Sequence, residues 1–305
     1  MSWIRGVGGL AALALLVMAG NPAPTEAQRD FSKVEIGTAK LADGVYMLMG
    51  AGGNIGVSAG TDGVLLIDDQ FAPLSDKIKA AVAKLESGPI RFVLNTHWHG
   101  DHTGGNENMG AVGAVIMAHD NVRKRMSMEQ FIEAFGRKVP PSPPGALPVV
   151  TYPASVTFHL NGEEIRAFHV GPAHTDGDSV VHFRKANVIH TGDMVFYRLF
   201  PFIDISSGGS VDGVIAAVDQ IIEMSDDQTQ IIPGHGPLTD RAGLQAYRDM
   251  LSTISERIKK GIADGKPLDT IAAEKPTAEF DEFWGKGFLK PDVFVKILYQ
   301  LLSKS

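Results

Sequence analysis

The chain has 305 residues, of which 44% are hydrophobic and 21% are charged, a composition typical of a globular protein with an ample core. A formal net charge of −7 without a Lys/Arg block argues against nucleic acid or an anionic membrane surface as the main partner. The absence of cysteine excludes disulfides, thiolate metal sites and cysteine nucleophiles.

The N-terminus has the pattern of a secretory signal peptide. Arg5 precedes an apolar run over residues 10–19, which is shorter than the ~20 apolar residues that a membrane span needs. Helix-breaking residues 20–22 follow the run, and residues 25–27 offer a small-residue cleavage site. We therefore expect residues 1–27 to be a signal peptide and the mature chain to be periplasmic or secreted, without stable membrane insertion. An uncleaved membrane anchor is the alternative.

The next segment predicts β-structure followed by a helix. Short runs rich in Val, Ile and Leu over residues 31–69 are separated by Gly-containing turns, which predicts an antiparallel meander. Residues 75–86 then place apolar side chains on one helical face, with Ser75 as the predicted N-cap. Residues 113–120 predict a buried strand, and residues 121–135 predict a helix.

Six prolines at 136–153 predict an irregular surface segment. We interpret it as an insertion that could form a lip over the site, with a linker between domains as the alternative. Four strands are predicted over residues 155–193. Amphipathic helices are predicted over 210–224, 240–263 and 291–302. We expect one domain over residues 28–305, with a helical C-terminal portion at 240–305.

The most informative stretch is VLNTHWHGDHTGGN at residues 93–106. The apolar run over residues 90–94 predicts a short buried strand, and four metal-capable side chains follow it: His97, His99, Asp101 and His102. Neutral imidazole and carboxylate suit Zn²⁺, and also iron or manganese, better than Ca²⁺ or Mg²⁺. The cluster therefore predicts a transition-metal site at the end of a strand.

Three more ligand candidates also follow predicted strands, namely His174, Asp193 and His235. The turn residues around them would hold the side chains at strand ends, where a metal can reach them. The seven donors are enough for two ions. One site would take His97, His99 and His174. The other would take Asp101, His102 and His235, with Asp193 bridging both.

HWHGDH with the three separate downstream stretches resembles the metallo-β-lactamase superfamily over about residues 33–240. The resemblance implies an α/β fold, an αββα sandwich of two mixed β-sheets flanked by helices, with a metal pair at one edge. It also implies the same division of the ligands. Asp193 stands where cysteine-ligand lactamases carry Cys, so the pattern is closer to the glyoxalase, lactonase and general hydrolase branches. His99 stands where the flavodiiron branch carries Glu.

Two close metals imply hydrolytic chemistry. A single zinc already lowers the pKa of its water from ~16 to ~7, so we expect a bridging hydroxide to attack a carbonyl carbon. Asp101 is the expected catalytic residue, because it could pass a proton to the leaving group. The expected enzyme is a secreted hydrolase with two Zn²⁺ per chain, or with iron or manganese. It would cleave a C–N, C–O or C–S acyl bond in a small-molecule lactam, lactone, ester or thioester.

Two other functions stay open at this point. Members that resemble persulfide dioxygenases use the His97, His99 and His174 type of site with iron, so an iron-dependent sulfur dioxygenase is one alternative. A non-catalytic metal-binding protein is the other. The sequence leaves open the substrate, the metal, the oligomeric state and the role of residues 264–305.

Several neighbouring residues carry secondary predictions. Asp68, at the end of a buried run, is expected to brace the ligand loop by hydrogen bonds rather than to bind metal. His190 is a candidate to support the ligands. Four aromatics after Asp193 are interpreted either as an apolar wall of a substrate pocket or as core: Phe196, Tyr197, Phe200 and Phe202.

Overall fold

The computed structural model describes residues 30–85 and 88–303. The predicted signal peptide at 1–27 therefore lies outside the described residues. Within the described ranges no helix has the length and apolar character to cross a bilayer.

The described chain contains both strands and α-helices, and it ends in four successive helices. Its strands are β1 (Gly37–Ala42), β2 (Val45–Met49), β3 (Ile55–Gly60), β4 (Gly63–Ile67), β5 (Ile90–Asn95), β6 (Val115–His119), β7 (Gln130–Ile132), β8 (Arg137–Val139), β9 (Val150–Tyr152), β10 (Ser155–Leu160), β11 (Glu163–His169), β12 (Ser179–Phe183), β13 (Val188–His190), β14 (Gln230–Ile232) and β15 (Thr239–Asp240). Its α-helices are α1 (Ser75–Ala83), α2 (Gly100–Thr103), α3 (Asn106–Ala111), α4 (Asp120–Met126), α5 (Val211–Met224), α6 (Arg241–Ala263), α7 (Leu268–Ala273), α8 (Asp281–Trp284) and α9 (Pro291–Leu302).

The strands form two large sheets and one small hairpin. The first sheet has the order β1-β2-β3-β4-β5-β6-β9, and the second has the order β10-β11-β12-β13-β14-β15. In the first sheet β1 to β4 form an antiparallel meander, as predicted, and β4, β5, β6 and β9 run parallel. In the second sheet only β13 and β14 pair in parallel. Both sheets are therefore mixed.

Three clusters of buried apolar residues show that the layers are stacked in the order helix, sheet, sheet, helix. Leu65 and Ile67 of β4 point into an apolar layer that they share with Val181 and Phe183 of β12, so the two sheets pack face to face. On the opposite face of β4, Val64 and Leu66 belong to a second cluster, which includes residues of α1 and α3. A third cluster packs the second sheet against α5, α6 and α9. The predicted αββα sandwich is confirmed.

Three local predictions differ from the structure. Helix α1 is capped at Leu74 rather than Ser75, because a single 3₁₀ turn (Ala72–Leu74) leads directly into it. The helix predicted for residues 121–135 ends at Met126, where the Arg125 carbonyl accepts a hydrogen bond from the Gln130 side-chain amide. The chain then forms the β7–β8 hairpin, which turns at Gly136 with φ +58°.

The Pro-rich segment 136–153 is more regular than predicted. It begins with the second strand of the hairpin and ends with β9, which is hydrogen-bonded to β6 at the edge of the first sheet. Between them the Ala146 carbonyl accepts a hydrogen bond from the Asn106 side chain. The segment is thus part of the sandwich, although its hairpin reaches toward the site described next.

Candidate metal centre

The seven predicted ligands converge at one edge of the sandwich. Their donor atoms form two groups, each within 4.8 Å: His97, His99, His174 and Asp193 in the first, and Asp101, His102 and His235 in the second. We call them the first and the second ligand group. The sequence predicted the same two sets of three residues, with Asp193 shared between them rather than grouped with the first.

Strand ends bring these side chains together. His97 and His99 lie just after β5, and the single turn of α2 carries Asp101 and His102. His174 lies in the loop after β11, Asp193 in a 3₁₀ turn after β13, and His235 in the turn after β14. Because β5, β13 and β14 end at the same edge of the sandwich, residues almost 140 positions apart become neighbours.

Close backbone approach at two glycines makes this convergence possible. A Cβ atom at Gly234 would collide with Asp193 Oδ1 and with the backbone of Gly192. A Cβ atom at Gly53 would collide with the His102 ring. The loop over residues 50–54, one of the Gly-containing turns of the predicted meander, therefore packs directly against the second ligand group.

Asp193 lies between the two groups. Its Oδ2 is 3.7 Å from His97 Nε2 and 3.6 Å from His174 Nε2, and the same oxygen is 3.4 Å from His235 Nε2. Its Oδ1 is 3.0 Å from His102 Nε2 but has no hydrogen bond there. Asp193 therefore faces imidazole nitrogens of both ligand groups, and its buried Oδ1 has no hydrogen-bond partner.

The donor atoms within each group also face one another. His99 Nδ1 is 3.1 Å from His97 Nε2 and 2.9 Å from His174 Nε2. In the second group His235 Nε2 is 3.4 Å from His102 Nε2 and 3.3 Å from Asp101 Oδ2. Neutral imidazoles and carboxylates at such spacing fit a metal ion between them, and the donor chemistry suits zinc, iron or manganese.

In four of the imidazoles, the ring nitrogen that points away from the neighbouring ligands has a polar partner of its own. His97 Nδ1 lies 3.1 Å from Thr96 Oγ1, and His174 Nδ1 lies 2.7 Å from the Phe202 carbonyl oxygen. His102 Nδ1 lies 2.8 Å from Asp68 Oδ2, and His99 Nε2 lies 3.0 Å from Asp204 Oδ2. Partners of this kind fix the tautomer and the ring orientation of metal-binding histidines.

The charges of the two groups differ when only protein groups are counted. Burial lowers the pKa of His97 well below its ordinary value and lowers the pKa of His174 to about 4, so both imidazoles are neutral. Burial acts in the same direction on His235, but the Asp193 and Asp101 carboxylates raise its pKa to about 9. His97 and His174 can therefore donate lone pairs directly, whereas His235 must first release its proton before it can bind a metal.

The secondary predictions meet three outcomes. Asp68 is completely buried and accepts from the Thr96 backbone and hydroxyl as well as facing His102, so its bracing role is confirmed. His190 instead contacts the backbone of Asn54 and Gly192. The aromatic residues that follow Asp193 have two different environments. Phe196 and Phe202 contact ligand imidazoles, whereas Phe200 stacks on Phe294 in the core.

Sequence reasoning missed Asp204. It lies among apolar residues in the loop FPFIDISSGG, and its carboxylate is completely buried. Besides facing His99, it accepts from the Ser206 and Ser207 backbone and from the Ser207 hydroxyl. An aspartate two residues before a pair of serines is a common turn-capping pattern, and that was the available signal.

Comparison with known proteins agrees with this architecture. The profile described as "Metallo-beta-lactamase superfamily" matches residues 50–237, more than half of the chain. The chain belongs to the metallo-β-lactamase superfamily. Within it, the chain is 24% identical to a protein named hydroxyacylglutathione hydrolase from Polaromonas sp. strain JS666, over 69% of this chain and 73% of that protein. It is 27% identical to another of that name from Nitrosococcus oceani, over 68% and 73%.

A solved structure of a metallo-beta-lactamase from Pontibacter korlensis shares the superfamily fold. Its TM-score is 0.59 at 17% identity, with coverage of 72% of this chain and 99% of that chain. This similarity concerns the fold. Together, the superfamily, the hydrolase relatives and the converging His and Asp side chains identify the chain as a metal-dependent hydrolase.

Proposed function

We propose that the chain is an exported hydrolase with two zinc ions, which cleaves a C–N, C–O or C–S acyl bond of a small molecule. The observation that carries the proposal is the position of Asp193, whose Oδ2 faces imidazoles of both ligand groups. A carboxylate placed between both ligand groups supports a pair of ions rather than a single one. The seven residues His97, His99, Asp101, His102, His174, Asp193 and His235 would hold them.

When bound, a zinc pair supplies a water of lowered pKa and a Lewis acid that polarises the carbonyl group. The protein's own part is to hold the imidazoles and to orient them. Thr96, Asp68, Asp204 and the Phe202 carbonyl fix the imidazoles, so the site needs little rearrangement during the reaction.

Asp101 is the proposed proton carrier. Its side chain is 28% exposed, the largest value among the seven, while Asp193 is 4% exposed. Asp101 Oδ2 therefore lies at the opening, where it can take a proton from the attacking water and return it to the leaving group. Asp193, which is enclosed by imidazoles, lacks that access.

The first test is metal content combined with a substrate panel. We expect two zinc ions per chain and a metal-dependent turnover of a thioester, a lactone or a β-lactam, lost with chelator and restored by zinc. Because two relatives are named for a hydroxyacylglutathione, a thioester is the first substrate to test. One iron per chain with oxygen uptake would overturn the proposal in favour of the dioxygenase.

A second test separates catalysis from metal binding. We expect Asp101→Ala to abolish turnover while at least the first ligand group keeps its metal, because Asp101 belongs to the other group. Full turnover in this variant would remove Asp101 from the mechanism. A protein that folds and binds metal but hydrolyses nothing over a wide panel would instead support a non-catalytic role.

We further propose that residues 1–27 direct export to the periplasm or beyond and are removed. The support is the charged start, the short apolar run and the small-residue site in the sequence. N-terminal sequencing of the protein from separated cell fractions tests this. A mature chain in the periplasmic or secreted fraction that starts at residue 28 is expected, and an intact N-terminus in the cytoplasm contradicts it.

A further inference from the structure

The metal centre opens to solvent on one side. His99, Asp101 and His235 have side chains that are 8%, 28% and 19% exposed, whereas those of His97, His102 and His174 are at most 1% exposed. A substrate must therefore enter past His99, Asp101 and His235. The side chains beside these three decide which substrates the opening favours.

Two phenylalanine rings extend from His99 to the protein surface. The Phe202 ring lies 5.9 Å from the His99 ring and 5.8 Å from the His174 ring. Phe135, in the β7–β8 hairpin, lies 4.8 Å from Phe202 and is 43% exposed. The hairpin is fixed here because the Glu133 backbone N–H donates to the Ser206 hydroxyl. Phe135 and Phe202 form what we call the hairpin wall.

A second aromatic wall begins at His235. The Phe196 ring stacks on the His235 imidazole at 4.8 Å and 19°. Phe288, from the segment between α8 and α9, lies 6.3 Å from Phe196 and is 59% exposed. We call Phe196 and Phe288 the C-terminal wall. Each ligand group thus has aromatic rings beside it. Phe196 and Phe202 are buried, so the surface that a substrate can cover belongs mainly to Phe135 and Phe288.

We propose that the substrate is an acyl thioester or ester with apolar groups on both sides of the scissile carbonyl. The acyl chain packs on the hairpin wall and the leaving group on the C-terminal wall. Apolar surface exposed beside a site gains free energy when a ligand covers it. The proposal rests on the hydrolase function proposed above and names its substrate class.

The position of Asp101 sets the orientation. Its Oδ2 lies 3.3 Å from His235 Nε2, so the leaving group that receives its proton lies on the His235 side. The acyl group then lies toward His99 and His174. In the reaction a C–O bond forms between the water oxygen and the acyl carbon, and the C–S or C–O bond to the leaving group breaks. One water proton reaches the leaving group through Asp101, and the acid product releases another to solvent.

Two series of thioesters test the proposal with zinc-loaded protein, followed by thiol release. In one series the acyl chain grows from two to eight carbons with a constant thiol. In the other an acetyl group is kept and the alkyl thiol grows. We expect kcat/KM to rise in both series, by up to about fourfold for each methylene that becomes fully buried. Flat series with measurable acetyl turnover would overturn this substrate class but leave the hydrolase function intact.

Three variants assign the walls. Phe135→Ala should flatten the acyl series alone, and Phe288→Ala should flatten the thiol series alone. Phe131→Ala is the matched control: it lies in the same hairpin with 51% exposure and should change neither series. The opposite assignment of Phe135 and Phe288 would overturn the orientation.

A binding measurement covers the case in which no thioester is hydrolysed. Calorimetric titration of zinc-loaded protein with acetate, butanoate, hexanoate and octanoate should show affinity rising with chain length. Phe135→Ala should remove that rise, and Phe131→Ala should keep it. Equal affinities along the series would reject the apolar acyl side, even where the hydrolase function has failed separately.

Discussion

Asp204 Oδ2 lies 3.0 Å from His99 Nε2, and this contact connects the first ligand group to a neighbouring loop. The same oxygen accepts from the Ser207 hydroxyl, and that hydroxyl accepts from the Trp98 indole N–H. Ser206 of this turn holds the β7–β8 hairpin through Glu133. A single buried carboxylate therefore orients one imidazole and fixes the loop beside the opening.

Asp204→Asn is expected to weaken metal binding at the first ligand group by about 10–100-fold. An amide can satisfy His99 Nε2–H or the Ser206 and Ser207 N–H groups, but it cannot satisfy both as the carboxylate does. Competition with a chromophoric chelator measures each step of zinc binding. Asp68→Asn is the comparison variant, because Asp68 faces His102 and its loss should weaken the zinc-binding step of the second group as well. Unchanged zinc affinity in Asp204→Asn would contradict the role of Asp204.

Gly234→Ala should impair metal binding more than a glycine substitution elsewhere. Its Cβ would lie 2.6 Å from the Gly192 carbonyl and would collide with Asp193 Oδ1, so Asp193 must move away from the ligand groups. We expect loss of bound zinc by elemental analysis together with a lower Tm. Gly37→Ala is the control, since its nearest neighbour would be at an ordinary 3.5 Å. If both variants keep two zinc ions, the close approach at Gly234 is not needed.

Much of the site was accessible from the sequence because its ligands are chemically distinctive. His97, His99, Asp101 and His102 stand within six residues, and His174, Asp193 and His235 each follow an apolar run that ends in turn residues. Asp204 has no such signature. Asp204 is important because the fold of its loop places it beside His99, a residue 105 positions away in the sequence.

The errors in the fold have a similar origin. Residues 121–135 suit a helix locally, yet the pairing of β7 with β8 and the hydrogen bond from Glu133 to Ser206 decide otherwise. The six prolines of 136–153 predicted an irregular segment, but its last part forms β9. The three residues of β9 are stabilised as a strand by pairing with β6 in the first sheet. Contacts between distant segments set both outcomes, and a local pattern does not contain them.

Phe200 and Phe202 are expected to respond differently to truncation, although they are two residues apart. Phe200 is 1% exposed and stacks on Phe294 at 4.6 Å, so Phe200→Ala should cost about 3–5 kcal/mol in the free energy of unfolding. Its kcat/KM per folded molecule should stay near that of the wild type. Phe202→Ala should lower kcat/KM, because its ring contacts His99 and His174. Urea unfolding and kinetics on the same samples separate the two effects, and a reversed pattern would contradict this division.

His119 and His169 stack at 3.8 Å and 15° where β6 of the first sheet meets β11 of the second. Burial, and then the neighbouring His169, lower the pKa of His119 below its ordinary value of 6.5. Because the folded state then binds a proton less readily than the unfolded state, the stability from neutral His119 is complete above about pH 6.5. It falls as the pH drops below that value and through the lowered pKa.

His119→Asn keeps a side-chain acceptor for the Asn121 N–H that caps α4 but removes the titration. We expect wild type to lose more free energy of unfolding than the variant between pH 7 and pH 5. Urea unfolding of both proteins in the same chelator-containing buffer measures this difference, so that metal release at low pH does not contribute. The Pro153 carbonyl, and after it Asp120 and Asp176, raise the pKa of His119 and so reduce the effect. Parallel pH profiles would show that the stacked pair does not titrate in this range.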